Sequence, residues 1–97
     1  MYARVSMALG LPGKAEETAR IYRDSVVPAC KGQKGFKGLY MLQDPKTDKG
    51  ITITLWETEA DMLAAEASGF YQQQVSKFKD VLAAPPVKEN YEVSIAS

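Results

Sequence analysis

The sequence predicts an α+β fold: one four-stranded antiparallel sheet with helices packed against a single side. Two observations predict it. Period-two alternation of apolar and polar residues recurs in four short segments, at Tyr2–Leu9, Phe36–Gln43, Ile51–Trp56 and along the C-terminal Lys88–Ser97. Between the first and second of these, and between the third and fourth, the apolar spacing changes to the three-and-four pattern of a helix.

Each element has its own local reason. Tyr2–Leu9 sets Ala3, Val5, Met7 and Leu9 on one face and Tyr2, Arg4, Ser6 and Ala8 on the other, and Gly10, Pro12 and Gly13 end it. Lys14–Val27 carries a stripe at Ala15, Ala19, Tyr22 and Val26 with Glu16, Glu17, Arg20, Arg23 and Asp24 mostly outside. Pro28 has no amide to donate and disfavours helix at Val27, so a helix end or kink is expected there, with Ala29–Gly35 as a connecting loop. Phe36–Gln43 and Ile51–Trp56 flank the polar segment Asp44–Gly50, which predicts a hairpin. Thr58-Glu59-Ala60-Asp61 reads as a helix start, with the Thr58 hydroxyl accepting from the Asp61 amide and the acidic side chains at the positive helix end. Ser68-Gly69 punctuates, a second stripe follows at Tyr71, Val75, Phe78 and Leu82, and Pro85-Pro86 stops it.

The order β-α-β-β-α-β is the split βαβ arrangement of ferredoxin-like domains, and the whole chain, 1–97, reads as one such domain. Helices cover only one sheet face. If both faces of Phe36–Gln43 and Ile51–Trp56 are substantially apolar, the uncovered face exposes a patch too large for a stable monomer, and a second copy is expected to hide it, giving a homodimer through the open sheet face.

Composition narrows the function classes. Twelve acidic and twelve basic residues cancel and no two Lys or Arg are adjacent, so neither nucleic acid nor a membrane surface is the expected partner. No apolar run approaches the roughly 20 residues of a membrane span, and nothing resembles a signal peptide, which predicts a cytoplasmic protein. With no histidine and one cysteine, Cys30, the chain lacks the ligands for a zinc site or a His-held haem and the base for a Ser-His or Cys-His nucleophile, so no metal and no cofactor are expected.

The candidate binding residues come from the strands. Thr52, Thr54 and Trp56 share one face of their strand, and Arg4 and Ser6 share the corresponding face of the first. An indole wall, hydroxyls and a fixed cation suit a small aromatic or carboxylated ligand between sheet and helices, with Tyr71 as a further candidate. The bland reading makes Trp56 a core or dimer residue and pairs Arg4 with a carboxylate. Tyr22, Tyr71 and Tyr40 are possible phenol donors, although stripe aromatics usually pack. Cys30, beside Lys31, is a possible reactive thiol, an inert one being the commoner case. Of Gln72, Gln73 and Gln74, only part can face a ligand, because consecutive helical residues point to different sides.

The run GFKGLYMLQDPKTDKG, followed by ITITLWETEADMLAAEAS and FYQQQVSKF, resembles the antibiotic biosynthesis monooxygenase type of dimeric α/β-barrel domain over nearly the whole chain. The resemblance implies a dimeric barrel and, for activity, a cofactor-independent monooxygenase-like enzyme acting on a small aromatic or quinol-type molecule. A non-catalytic, small-molecule-binding or stress-associated homodimer is the alternative. Haem-degrading relatives would need a His, a Trp and an Asn where this chain has Val75, Ala65 and Ser6, so haem degradation is not implied. Trp56 matches the strand-end Trp of the cofactor-free monooxygenases, whereas their strand Asn four residues earlier is Thr52 here.

Overall fold

A computed structural model describes residues 1–97. Strand β1 (Tyr2–Leu9) is followed by helix α1 (Ala15–Ile21), a π-helical turn (Tyr22–Val26) and helix α2 (Val27–Lys31). Strands β2 (Phe36–Asp44) and β3 (Lys49–Trp56) form the hairpin, helices α3 (Glu59–Ala67) and α4 (Phe70–Ser76) come next, and β4 (Val87–Glu92) closes the sheet. All pairings are antiparallel, in the order β2-β3-β1-β4. The ferredoxin-like α+β expectation holds.

Cross-strand partners share a face, so the register divides the sheet. Arg4 opposes Thr54, Ser6 opposes Thr52 and Tyr2 opposes Trp56, and this is the face beneath the helices. Val5 opposes Ile53, Met7 opposes Ile51, and Tyr40 and Leu42 oppose Ile53 and Ile51 from β2, on the open face. The covered face therefore carries the polar residues and the open face the aliphatic ones. Under the helices the apolar packing forms two clusters: Val26, Cys30, Phe78 and Val81 in one, and Trp56, Met62 and Ala65 in the other. Phe36 and Phe70 pack against both.

The first helical segment departs from expectation. It does not stop at Val27 but runs through Pro28 to Lys31, leaving only Gly32–Gly35 as the loop. The π turn explains how: the amide of Val27 bonds the carbonyl of Tyr22, five residues back, and the wider turn admits the proline ring at the start of the next helix. It also resets the inward stripe. Thr18, Val26 and Cys30 are buried, with Tyr22 half-buried between them, a spacing of four that a straight α-helix with 3.6 residues per turn would rotate off the core.

Three other boundaries differ from the expectation. Helix α4 ends at Ser76, and Phe78 and Leu82 belong to turns: the Val81 carbonyl accepts from Leu11, and Leu82 bridges Gly10. Strand β4 stops at Glu92, opposite Tyr2, because β1 has no further strand residue to pair with, and Val93–Ser97 is not strand. The hairpin strands extend to Asp44 and Lys49, so its loop is four residues, tightened by Asp44, whose Oδ1 accepts from the Lys46 amide at 2.9 Å.

The Thr58 cap forms as expected, its Oγ1 accepting from the Asp61 amide at 3.1 Å. Asp61 then lies against Gly35, which has a φ of 81° and whose carbonyl accepts from the Glu57 amide at 2.7 Å. A Cβ at Gly35 would overlap the Asp61 side chain, so the loop before β2 and the start of α3 interlock only with glycine there. Thr58→Ala is expected to destabilise the fold by about 1 kcal/mol, and Gly35→Ala by more, since it adds a clash to a left-handed backbone. Urea denaturation of the two variants, with unchanged m-values, checks this order.

Candidate functional site

Between the covered sheet face and the helices lies a cavity of about 100 Å3. Arg4, Ser6, Thr52, Thr54 and Trp56 line it from the sheet and Tyr71 from α4, so all six sequence candidates meet there. Tyr22, Val26 and Cys30 close it from the first helical segment. The reason is the register: alternate residues of β1 and β3 point the same way, and the covering helices contribute the aromatic side chains of Tyr22, Phe70 and Tyr71.

Arg4 is the one buried charged group among the lining residues. It is 3 % exposed. One guanidinium nitrogen, Nη2, donates to the Met62 carbonyl at 2.7 Å and to Glu66 Oε2 at 3.2 Å. Its Cζ stands 5.5 Å from the Trp56 ring centroid and 4.9 Å from that of Tyr71, within cation–π range of both. Nε is buried and has no hydrogen-bond partner. An unpaired buried donor of this kind costs about 1–3 kcal/mol.

Glu66 is the residue that sequence reasoning did not name. It receives Arg4, Asn90 Nδ2 at 2.9 Å and the Lys88 ammonium, tying α3 to β1 and β4. A cation on the inward alternation of a strand signals a carboxylate partner; which one is decided by where α3 passes. Burial raises the Glu66 pKa, but the hydrogen bonds from Lys88 and Asn90 and the charge and hydrogen bond of Arg4 outweigh it, leaving the carboxyl below its ordinary value.

Two hydroxyl pairs stand on the next rung of the sheet. Thr52 Oγ1 donates to the Tyr22 phenolic oxygen at 2.7 Å, and Ser6 Oγ and the Tyr71 hydroxyl are 2.9 Å apart. Because Ser6 opposes Thr52, each pair joins one strand to one helix. Burial pushes the Tyr22 pKa up, so the phenol stays protonated. The Trp56 indole N–H is occupied by Thr54 Oγ1 at 3.0 Å, and its ring is 1 % exposed with Phe36 edge-on at 5.7 Å. Trp56 is therefore both a core residue and a wall of the cavity.

The remaining candidates sort by geometry. Tyr40 lies on the open face, 61 % exposed, and does not reach the cavity. Of the three glutamines only Gln74 is buried and lines it, its Oε1 accepting from Lys77 Nζ at 2.7 Å. Cys30 lies within α2, and burial pushes its thiol pKa up despite the lowering influence of Arg4 and Lys77, so it is held as the thiol.

The sequence model of the antibiotic biosynthesis monooxygenase family matches residues 1–77, and the chain belongs to that family. No curated protein matches it. Among solved structures, the chain is similar to NE2512, a protein of unknown function from Nitrosomonas europaea, at 18 % identity and TM-score 0.76, covering 99 % of this chain and 91 % of that one. It is also similar to Rv0793 from Mycobacterium tuberculosis, at 10 % identity and TM-score 0.72, covering 99 % and 98 %. A third is SnoaB, a cofactor-independent oxygenase from Streptomyces nogalater, at 14 % identity and TM-score 0.75, covering 98 % and 94 %. At these identities the likeness is one of fold. No helix is long and apolar enough to cross a membrane.

The Glu66 cluster has a pH signature. A carboxyl held below its ordinary value adds stability that is fully present above the unfolded pKa of about 4.3 and is lost as pH falls through the lower folded value. Glu66→Gln is expected to cost about 2 kcal/mol at pH 7, through Arg4 losing its charged acceptor, and to flatten the acid limb of the stability profile. Thermal melts of both proteins from pH 3 to pH 7 check this; parallel acid limbs would remove Glu66 from the account.

Proposed function

We propose that the protein is a cofactor-independent monooxygenase-type oxidoreductase acting on a small aromatic or quinol-type molecule. The observation that carries this reading is the largely apolar cavity beside Trp56, into which one buried cation and two phenols converge. Family membership supports the reaction class, as does the fold shared with a cofactor-independent oxygenase.

In this reaction the substrate ring supplies the electrons for dioxygen. One oxygen atom enters the ring as a carbonyl, and the other leaves as water with the hydrogens displaced from ring C–H and O–H, so no external reductant is consumed. The protein contributes orientation and a dry environment. Arg4 holds the ring oxygen as the anion that donates electrons, Trp56 forms the wall against which the ring stacks, and a neutral Tyr hydroxyl supplies a hydrogen bond to developing negative charge.

Oxygen uptake by the purified protein with a dihydroxyaromatic substrate is the direct test. Trp56→Phe is expected to lower the rate about tenfold and Arg4→Lys about a hundredfold, the range found when a single electrostatic or positioning group is removed. No uptake with any dihydroxyaromatic, or full turnover in both variants, would reject the assignment.

We further propose the assembly as a homodimer through the open sheet face, in the manner of a dimeric α/β barrel. The support is an exposed apolar patch: Leu9, Tyr40, Leu42, Ile51, Val87 and Tyr91 are all exposed large side chains on that one face. Covering it with a second copy removes it from water on both subunits at once. Ile53 sits in the middle of this face, so Ile53→Lys should yield a folded monomer by light scattering and circular dichroism. A wild-type monomer at micromolar concentration would refute the dimer.

A further inference from the structure

The cavity has two recognition poles, and they constrain what fits between them. At one pole stands the guanidinium of the buried Arg4, which lines the cavity. At the other, Thr52 donates its hydrogen to the Tyr22 oxygen, which leaves the Tyr22 hydroxyl hydrogen free to be donated elsewhere. Thr54, the cross-strand partner of Arg4, and Thr52 are two residues apart on β3, a separation of about 6.7 Å along the strand. One pole is cationic and the other a neutral donor, the Tyr22 phenol being kept protonated by burial. The wall between them is apolar, with Val26, Leu39 and Phe78 among its side chains.

Size supplies the second constraint. The space is about 100 Å3, whereas pockets for drug-sized ligands measure roughly 300–1,000 Å3 and a dry cavity of about 150 Å3 accepts benzene. A single ring is thus of the right scale, and a fused polycycle is not. We propose that the ligand is a monocyclic aromatic anion with oxygens at opposite ends of the ring: a carboxylate or phenolate oxygen on the Arg4 guanidinium, and a para oxygen accepting from the Tyr22 hydroxyl. This rests on the reading of the cavity as a ligand site but does not require turnover.

The experiment is equilibrium binding under nitrogen, followed by fluorescence of Trp56, the only tryptophan, and by calorimetry. The probes are 4-hydroxybenzoate, hydroquinone at a pH giving its monoanion, 3-hydroxybenzoate, benzoate and a three-ring phenol. The two para-oxygenated probes separate carboxylate from phenolate as the preferred anion, and saturable binding of either supports the proposal. Benzoate and 3-hydroxybenzoate should bind about tenfold more weakly than 4-hydroxybenzoate, the worth of one hydrogen bond. Tyr22→Phe, a variant that removes one oxygen and keeps the ring packed, should erase that preference while leaving benzoate affinity unchanged. Equal binding of benzoate and 4-hydroxybenzoate, an equal loss of both in Tyr22→Phe, or binding of the three-ring phenol alone would overturn the proposal. The last outcome, with oxygen uptake, would leave the monooxygenase reading standing. Monocycle binding without uptake of oxygen would do the reverse.

Discussion

The buried guanidinium of Arg4 is the interaction on which the rest of the covered face depends. It reaches from β1 to the backbone of α3 at Met62 and to the Glu66 carboxylate, and it lies against the rings of Trp56 from β3 and Tyr71 from α4. Through Glu66 it is linked to Lys88 and Asn90 on β4. A charge removed this far from water is tolerable only with a charged partner and several donors and acceptors in place. Here the requirement is met from four secondary-structure elements at once, which fixes how α3 and α4 sit over the sheet. The same constraint leaves one donor over, the buried Nε.

The cavity borders two apolar clusters that Phe36 and Phe70 bridge. Val26, Cys30, Phe78 and Val81 pack at one end, and Trp56, Met62 and Ala65 at the other. Side chains in between are threonines, serine and tyrosines, which spend their hydroxyls on one another and hold the walls apart. The π turn matters for this arrangement. By letting residues four apart stay in line, it brings Thr18, Tyr22, Val26 and Cys30 all to the sheet side, and so delivers the Tyr22 phenol to Thr52. π turns of this kind are often found at functional sites.

An inverted distribution of polarity distinguishes this sheet. In a one-layer α+β domain the face beneath the helices is ordinarily the apolar one, yet here aliphatic residues crowd the face without helices. The sense of this is a division of labour: the helix-covered face borders the cavity, and the aliphatic face is available for association. A chain of 97 residues has little core to spare, so the proposed dimer interface would supply apolar burial that the cavity forgoes.

Much of this was legible in the residues. Strand periodicity, the Thr58 cap and the β-α-β-β-α-β order determine the topology, because they are local signals whose physics operates within a few residues. The six site candidates were also legible, since alternation on β1 and β3 assigns a face to each side chain once two strands are paired. The path of the chain beyond local signals was decided by tertiary structure. Pro28 reads as a helix end because a proline removes an α-helical hydrogen bond; the five-residue hydrogen bond from Val27 to Tyr22 lets the helix continue, and burial of Cys30 rewards it. Phe78 and Leu82 fit a helical stripe, but β1 and the segment after it claim that backbone for bridges instead. Likewise the need of Arg4 for a carboxylate follows from sequence, whereas the choice of Glu66 among the twelve acidic residues, and the hollow beside Trp56, follow from packing between elements distant along the chain, which no local pattern encodes.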